Sequence, residues 1–188
     1  MKNQRSIGTG EMIAALLVVI LIGIGIVMIS SSASSTGNTT GTDSSLQSTA
    51  IAGQDIPAPI NYVTDTAGVL KSGTVTDLDV RLESLSNSGK GEAAVLVVPS
   101  LNGLSIEEYG IRVAEAWKVG KYGQDNGVIL IISTGDRKVR IETGSGSSIT
   151  DGQAAQIISD SIVPSLKKND WDGGVTNGVD AIIKAITK

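Results

Sequence analysis

Four aspartates in this sequence stand where a chain does chemistry. Asp65 closes a short extended piece, Asp125 precedes the most apolar run of the second half, Asp136 follows that run, and Asp151 opens a helical stretch. Each falls in a loop at the end of a predicted element, the usual place for binding groups in α/β domains. The chain holds no Cys and no His, which excludes disulfides, thiolate zinc sites, cysteine nucleophiles and any imidazole base. Metal chemistry must therefore use oxygen ligands, which favours Ca²⁺ or Mg²⁺. Taken singly, each residue also has an ordinary role: Asp125-Asn126-Gly127 and Gly135-Asp136 make good turns, and Asp151 a helix cap. Taken together, Asp65, Asp125, Asp136 and Asp151 are the candidate ligands of a divalent cation.

Spacing limits how they could combine. A strand of five or six residues spans about 17–20 Å, so Asp125 and Asp136 fall at opposite ends of the run 128–132. One of them must be joined by other loops. Three further features carry less. Gly144-Ser145-Gly146 before a helix could form an anion nest, but it lacks the third glycine of a dinucleotide fingerprint and the lysine of a P-loop. Asp170-Trp171-Asp172-Gly173 resembles the start of an EF-hand, yet position twelve is Ala181 where Glu is required. Trp117 and Trp171 fall on apolar helical faces and read as core.

The elements that position these groups follow from periodicity. Val75, Leu78, Leu82 and Leu85 recur at helical spacing; residues 93–98 form an apolar run that reads as a buried strand. Ser105 with Glu108 predicts a capping box, and Ile106, Tyr109, Val113 and Trp117 give the following helix one apolar face. Residues 128–132 should form a central strand, and 137–142, which alternates polar and apolar, an antiparallel partner nearer an edge. A helix opened by Thr150 or Asp151 should stop near Pro164, and Asp170 should cap the last. The order β-α-β-α-β-β-α-α predicts a three-layer α/β/α sandwich with a small mixed sheet. The net charge of −4 and the lack of a basic stripe argue against a nucleic-acid partner.

The N-terminal third is different. Residues 12–29 are uncharged and apolar, close to the roughly 20 residues that cross a bilayer, and Lys2 and Arg5 precede them. This predicts a single transmembrane helix, with residues 1–11 cytoplasmic and the remainder outside; a cleaved signal peptide is the alternative. Residues 30–55, rich in Ser, Thr and Gly, read as a flexible tether whose ends lie about 25–30 Å apart. The folded domain should span 56–188, at the cell membrane with its C-terminal domain extracytoplasmic.

In series, Tyr62-Val63-Thr64-Asp65, Ala67-Gly68-Val69-Leu70, Trp117-Lys118-Val119-Gly120, Asp125-Asn126-Gly127-Val128, the run 136–142, Gly144-x-Gly146 and Thr150-Asp151 resemble the TPM domain family from about residue 62 to 186. The resemblance implies an α/β/α domain outside the cytoplasm, commonly membrane-tethered. It also implies divalent-cation binding, accessory roles in membrane complexes with a membrane-protein partner, or acid phosphatase activity. Asp65, Asp125, Asp136 and Asp151 stand where the family has acidic residues. Family members usually continue the glycine loop as Gly-aromatic-Gly-Leu-Glu, whereas here Ser145 replaces the aromatic and Ser147-Ser148 follow Gly146. The expected function is an accessory module that holds a cation weakly, with a metal-assisted phosphatase as the alternative.

Overall fold

The computed structural model describes residues 56–188. The expected transmembrane helix at 12–29 and the tether at 30–55 lie outside the described residues.

Three parallel strands, β1 (Val63–Asp65), β2 (Glu92–Val98) and β3 (Gly127–Ser133), lie side by side, and β4 (Lys138–Thr143) returns antiparallel along β3. The sheet order is β1-β2-β3-β4. β3 is apolar at nearly every position because both of its faces are covered. Val128, Leu130 and Ile132 join Val95 and Val97 of β2 on one face. Ile129 and Ile131 join Leu96 and Val98 on the other. The alternation of β4 has the same origin. Val139 and Ile141 pack into the first core, while Lys138, Arg140 and Glu142 take the opposite side.

Helices cover both faces, as the interleaved order predicts. On the first face α1 (Ser72–Ser88) buries Leu78, Leu82 and Leu85 beside α5 (Trp171–Thr187), which buries Val175, Val179 and Ile182. On the second, α2 (Ile106–Trp117) sets Ile106, Tyr109 and Val113 against the sheet. Both parallel connections advance one strand in the same direction, yet their helices fall on opposite faces. The two crossovers therefore have opposite hands, against the right-handed form found in about 98% of such units.

Most local expectations were met, though Trp117 and Trp171 are half-buried against the two cores rather than within them. Ser105 accepts from Glu108 N at 3.1 Å, but the capping box is not reciprocal, because the Glu108 carboxylate turns to Arg112 at 2.7 Å. Thr150 and Gln153 form the complete box instead, at the start of α3 (Asp151–Ile157). The helix ends at Leu166, close to Pro164 as expected, but the proline does not break it outright. It passes through a π-helical turn, Ile158–Ile162, into α4 (Val163–Leu166). Pro164 falls in the first turn of α4, where its missing N–H costs least, and the wider turn before it relieves the ring clash.

The turn into β3 has almost no free space. A β-carbon on Gly127 would lie 1.8 Å from the Val119 carbonyl oxygen, while one on Gly152 of α3 would meet nothing within 4 Å. Gly127→Ala should destabilise the domain by about 3 kcal/mol or more, since only backbone movement could relieve the overlap. Gly152→Ala should instead gain roughly 0.5 kcal/mol from helix propensity. Urea unfolding of the two variants beside the parent chain measures both.

Candidate functional site

The four aspartates divide between the two ends of the sheet. Asp65 and Asp136 lie at the C-terminal end of the parallel strands. Asp65 is level with Val97, and Val97 with Ile132, so β2 intervenes and about 10 Å separates the two strands that lead to these residues. Asp125 lies at the other end of the seven-residue β3, about 20 Å away. Asp151 is the first residue of α3 and is exposed. Among the described residues no three carboxylates stand close enough to share a metal ion.

Two of the four are occupied in holding loops. Asp65 accepts Gly68 N through Oδ1 and Leu70 N through Oδ2, each at 2.8 Å, shaping the approach to α1. Asp136 Oδ2 accepts both Leu101 N and the Ser133 hydroxyl at 2.7 Å. It thereby ties the β3–β4 hairpin to the segment after β2. The Ser133 hydroxyl, then the Leu101 amide, hold the Asp136 carboxyl below the ordinary Asp range, with Lys138 adding to the effect.

Asp125 has a different setting. Its backbone is in the left-handed region (φ 48°), its carbonyl accepts Gly146 N at 2.9 Å, and its Oδ2 accepts Ser145 N at 2.8 Å and Ser145 Oγ at 2.7 Å. The Ser145 hydroxyl, then its amide, lower the Asp125 pKa. Gly144 and Gly146 make this fit possible. β-Carbons there would lie 2.1 Å from the Asp125 carbonyl and 1.9 Å from the Gln124 carbonyl. The Gly-x-Gly loop is thus a close-packing device that clasps the 124–125 backbone, rather than a nest held open for an anion.

This corner forms one wall of a cleft of about 630 Å³ between the end of α2, the 118–125 loop and the end of β4. Asp125, Glu142, Thr143 and Ser145 bring side-chain oxygens to its lining, with Lys118, Lys121 and the fully exposed Tyr122 beside them. Asp125 Oδ1 has no hydrogen-bond donor among the described residues. Glu142 is paired with Arg140, whose guanidinium pKa the carboxylate raises. The pair fits beneath α2 because Gly110 leaves room there: a β-carbon would come 2.6 Å from Glu142 Oε2. In the sequence Glu142 is one polar position of the alternating run 137–142. Its alternation with Lys138 and Arg140 was the available signal, but the covering helix could not be read from it.

With this geometry in hand, comparison with known proteins places the chain. The TPM domain family model matches residues 63–185, well over half of its length. The chain belongs to the TPM domain family. Its described fold is similar to the N-terminal domain of a P. gingivalis protein, at 31% identity and a TM-score of 0.62, covering 66% of this chain and 81% of that one. It is similar in fold to the N-terminal domain of a Corynebacterium glutamicum protein (18% identity, TM-score 0.55, covering 70% of this chain and 84% of that one). A Bizionia argentinensis protein shares the fold too, at 15% identity, TM-score 0.54, and coverage of 63% and 81%. No curated protein matches by sequence.

Asp125, Asp136 and Asp172 all ionise more easily folded than unfolded. Asp172 is held low by the Thr74 hydroxyl and then the Lys71 amide. Folded pKa values below the unfolded value near 3.8 mean that the unfolded chain binds more protons. Their contribution is complete above that value and is lost as pH falls through the lower folded values. With no His, stability should stay flat between about pH 5 and 8. Urea midpoints measured from pH 8 to 2 should hold and then fall below about pH 4, and Asp136→Asn should make that acid fall shallower.

Proposed function

We propose that this TPM domain is a membrane-tethered, extracytoplasmic accessory module that binds a divalent cation weakly in the Asp125 cleft and docks on membrane-protein partners. The observation that carries the cation is the Asp125 carboxylate. It is ionised and aimed by Ser145, its Oδ1 accepts from no donor among the described residues, and it shares its cleft with Glu142 and two hydroxyls. Hard oxygen ligands of this kind suit Ca²⁺ better than a transition metal. Two carboxylates with lysines nearby favour weak binding, in the range of about 10⁻⁴–10⁻³ M typical of extracellular calcium modules. The tether rests on the uncharged apolar stretch 12–29 behind Lys2 and Arg5, and on the Ser/Thr/Gly-rich stretch 30–55. Asp65 and Asp136 take part in this reading as loop supports rather than as ligands.

The Ser145–Asp125 contact also invites a phosphatase reading, with serine as nucleophile and aspartate as base. The charge state argues against it. A carboxylate whose pKa lies below the ordinary Asp range is a poor proton acceptor, and among the described residues no second base hydrogen-bonds to it. Calorimetric titration of the full chain with CaCl₂ should give a sub-millimolar to millimolar Kd. Asp125→Asn, which keeps an acceptor for Ser145 but removes the charge, should weaken binding about tenfold or more. Unchanged affinity in that variant would move the site elsewhere. Phosphomonoester hydrolysis abolished by Asp125→Asn would favour the enzyme instead.

A further inference from the structure

At the opposite end of β3, and independent of the cation cleft, we infer that the start of β4 is a docking groove for the C-terminus of an extended peptide, which adds antiparallel to β4 and sets its carboxylate among Arg137, Lys138 and Lys167.

The backbone phase of β4 comes first. Gly144 N donates to the Gly127 carbonyl at 2.9 Å, and antiparallel ladders alternate. Residues 142, 140 and 138 therefore bond to β3, while the N–H and C=O groups of Val139, Ile141 and Thr143 turn away from it. β4 is the outermost strand, and among the described residues these outward groups have no backbone partner. An edge of this kind is a template for a further strand.

The groove itself comes second. A cleft of about 340 Å³ opens between the start of β4 and the α4–α5 turn. Val139, Leu166 and Trp171 give it an apolar lining, and Arg137, Lys138 and Lys167 make all of its charge positive. None of the three cations is in an ion pair among the described residues. The neighbouring carboxylate, Asp136, is already held by Ser133 and Leu101. Three cations together in a chain of net charge −4, with Asp136 acting on Lys138 as the one counter-charge described, make the groove complementary to an anion.

Third, Arg137 sits in the left-handed region, at φ 54°. Glycine or asparagine would take this turn position with less strain, so the turn does not account for an arginine. Its side chain lines the groove.

Charge also sets the direction. The cations cluster at the N-terminal end of β4. A strand added in parallel would bring its N-terminal ammonium there, whereas one added antiparallel brings its C-terminal carboxylate. The guanidinium of Arg137 can take that carboxylate in a fork, and the last side chain enters the apolar lining.

The test uses the ¹⁵N-labelled full chain and two pools of randomised pentapeptides, identical except that one has a free C-terminal carboxylate and the other an amide. The free-acid pool should shift the amides of Lys138, Val139 and Leu166, and the amidated pool should bind about tenfold more weakly or less. Arg137→Gly with Lys167→Gln should weaken the free-acid pool about tenfold, with the melting temperature equal or higher because glycine suits φ 54°. The absence of shifts with both pools, equal binding of the two, or unchanged binding by the variant would each overturn the assignment. So would the same shifts from phosphatidylglycerol vesicles with none from peptide, which would make this a membrane-facing surface. Loss of calcium binding leaves the proposal untouched, since the two sites lie at opposite ends of β3.

Discussion

Gly127 begins the central strand against the carbonyl of Val119, with no room for even one carbon between them. That contact decides where the end of α2 meets the sheet and how the 118–127 segment turns. The consequence is a stack of close approaches: Gly120 lies against Gly127, Gly144 against Asp125, and Gly146 against Gln124. Asp125 is pressed into a left-handed conformation by this stack and anchored by Ser145. Gly120, Gly127 and Gly144 of this stack are themselves part of the cleft's lining.

A domain without cysteine or histidine must fix its loops by other means, and here carboxylates do so. Asp65 holds Gly68 and Leu70, Asp79 holds Val63, Glu92 holds Gly120, Asp136 holds Leu101, Asp170 caps α5 through Gly173, and Asp172 holds Lys71. Each charged acceptor meets an amide that would otherwise lack a partner, an interaction roughly twice as strong as its neutral equivalent. The aspartates at element ends are thus mostly staples. Asp125 also clasps a loop through Ser145, but it lines the cleft with an Oδ1 that accepts from no donor among the described residues.

Much of the fold was legible because it is written locally. The burial of residues 93–98 and 128–132, the alternation of 137–142 and the caps at Ser105 and Asp170 all follow from near neighbours; for the third helix near neighbours leave Thr150 and Asp151 as alternatives, and the structure takes Thr150. The separation of Asp125 from Asp136 followed from strand length alone. What was not legible depends on residues distant in sequence. The strand order, the opposite hands of the two crossovers, Glu142 beneath Gly110, and the basic groove formed where Arg137 meets Lys167 all depend on long-range packing. The π-helical turn before Pro164 is a third kind of case, since the proline's effect depends on how the preceding turn widens.

The central claim is that, of the four aspartates, Asp125 is the one that faces a bound cation. Sub-stoichiometric Mn²⁺ added to the ¹⁵N-labelled chain tests it most directly, because paramagnetic broadening reports distance from the ion whatever the affinity of the native metal. The amides of Tyr122, Asp125, Thr143 and Ser145 should broaden first, while Gly68, Leu70 and Leu101, beside Asp65 and Asp136, stay sharp. Broadening that starts at Gly68 and Leu101, or that spares the Asp125 corner, would contradict it.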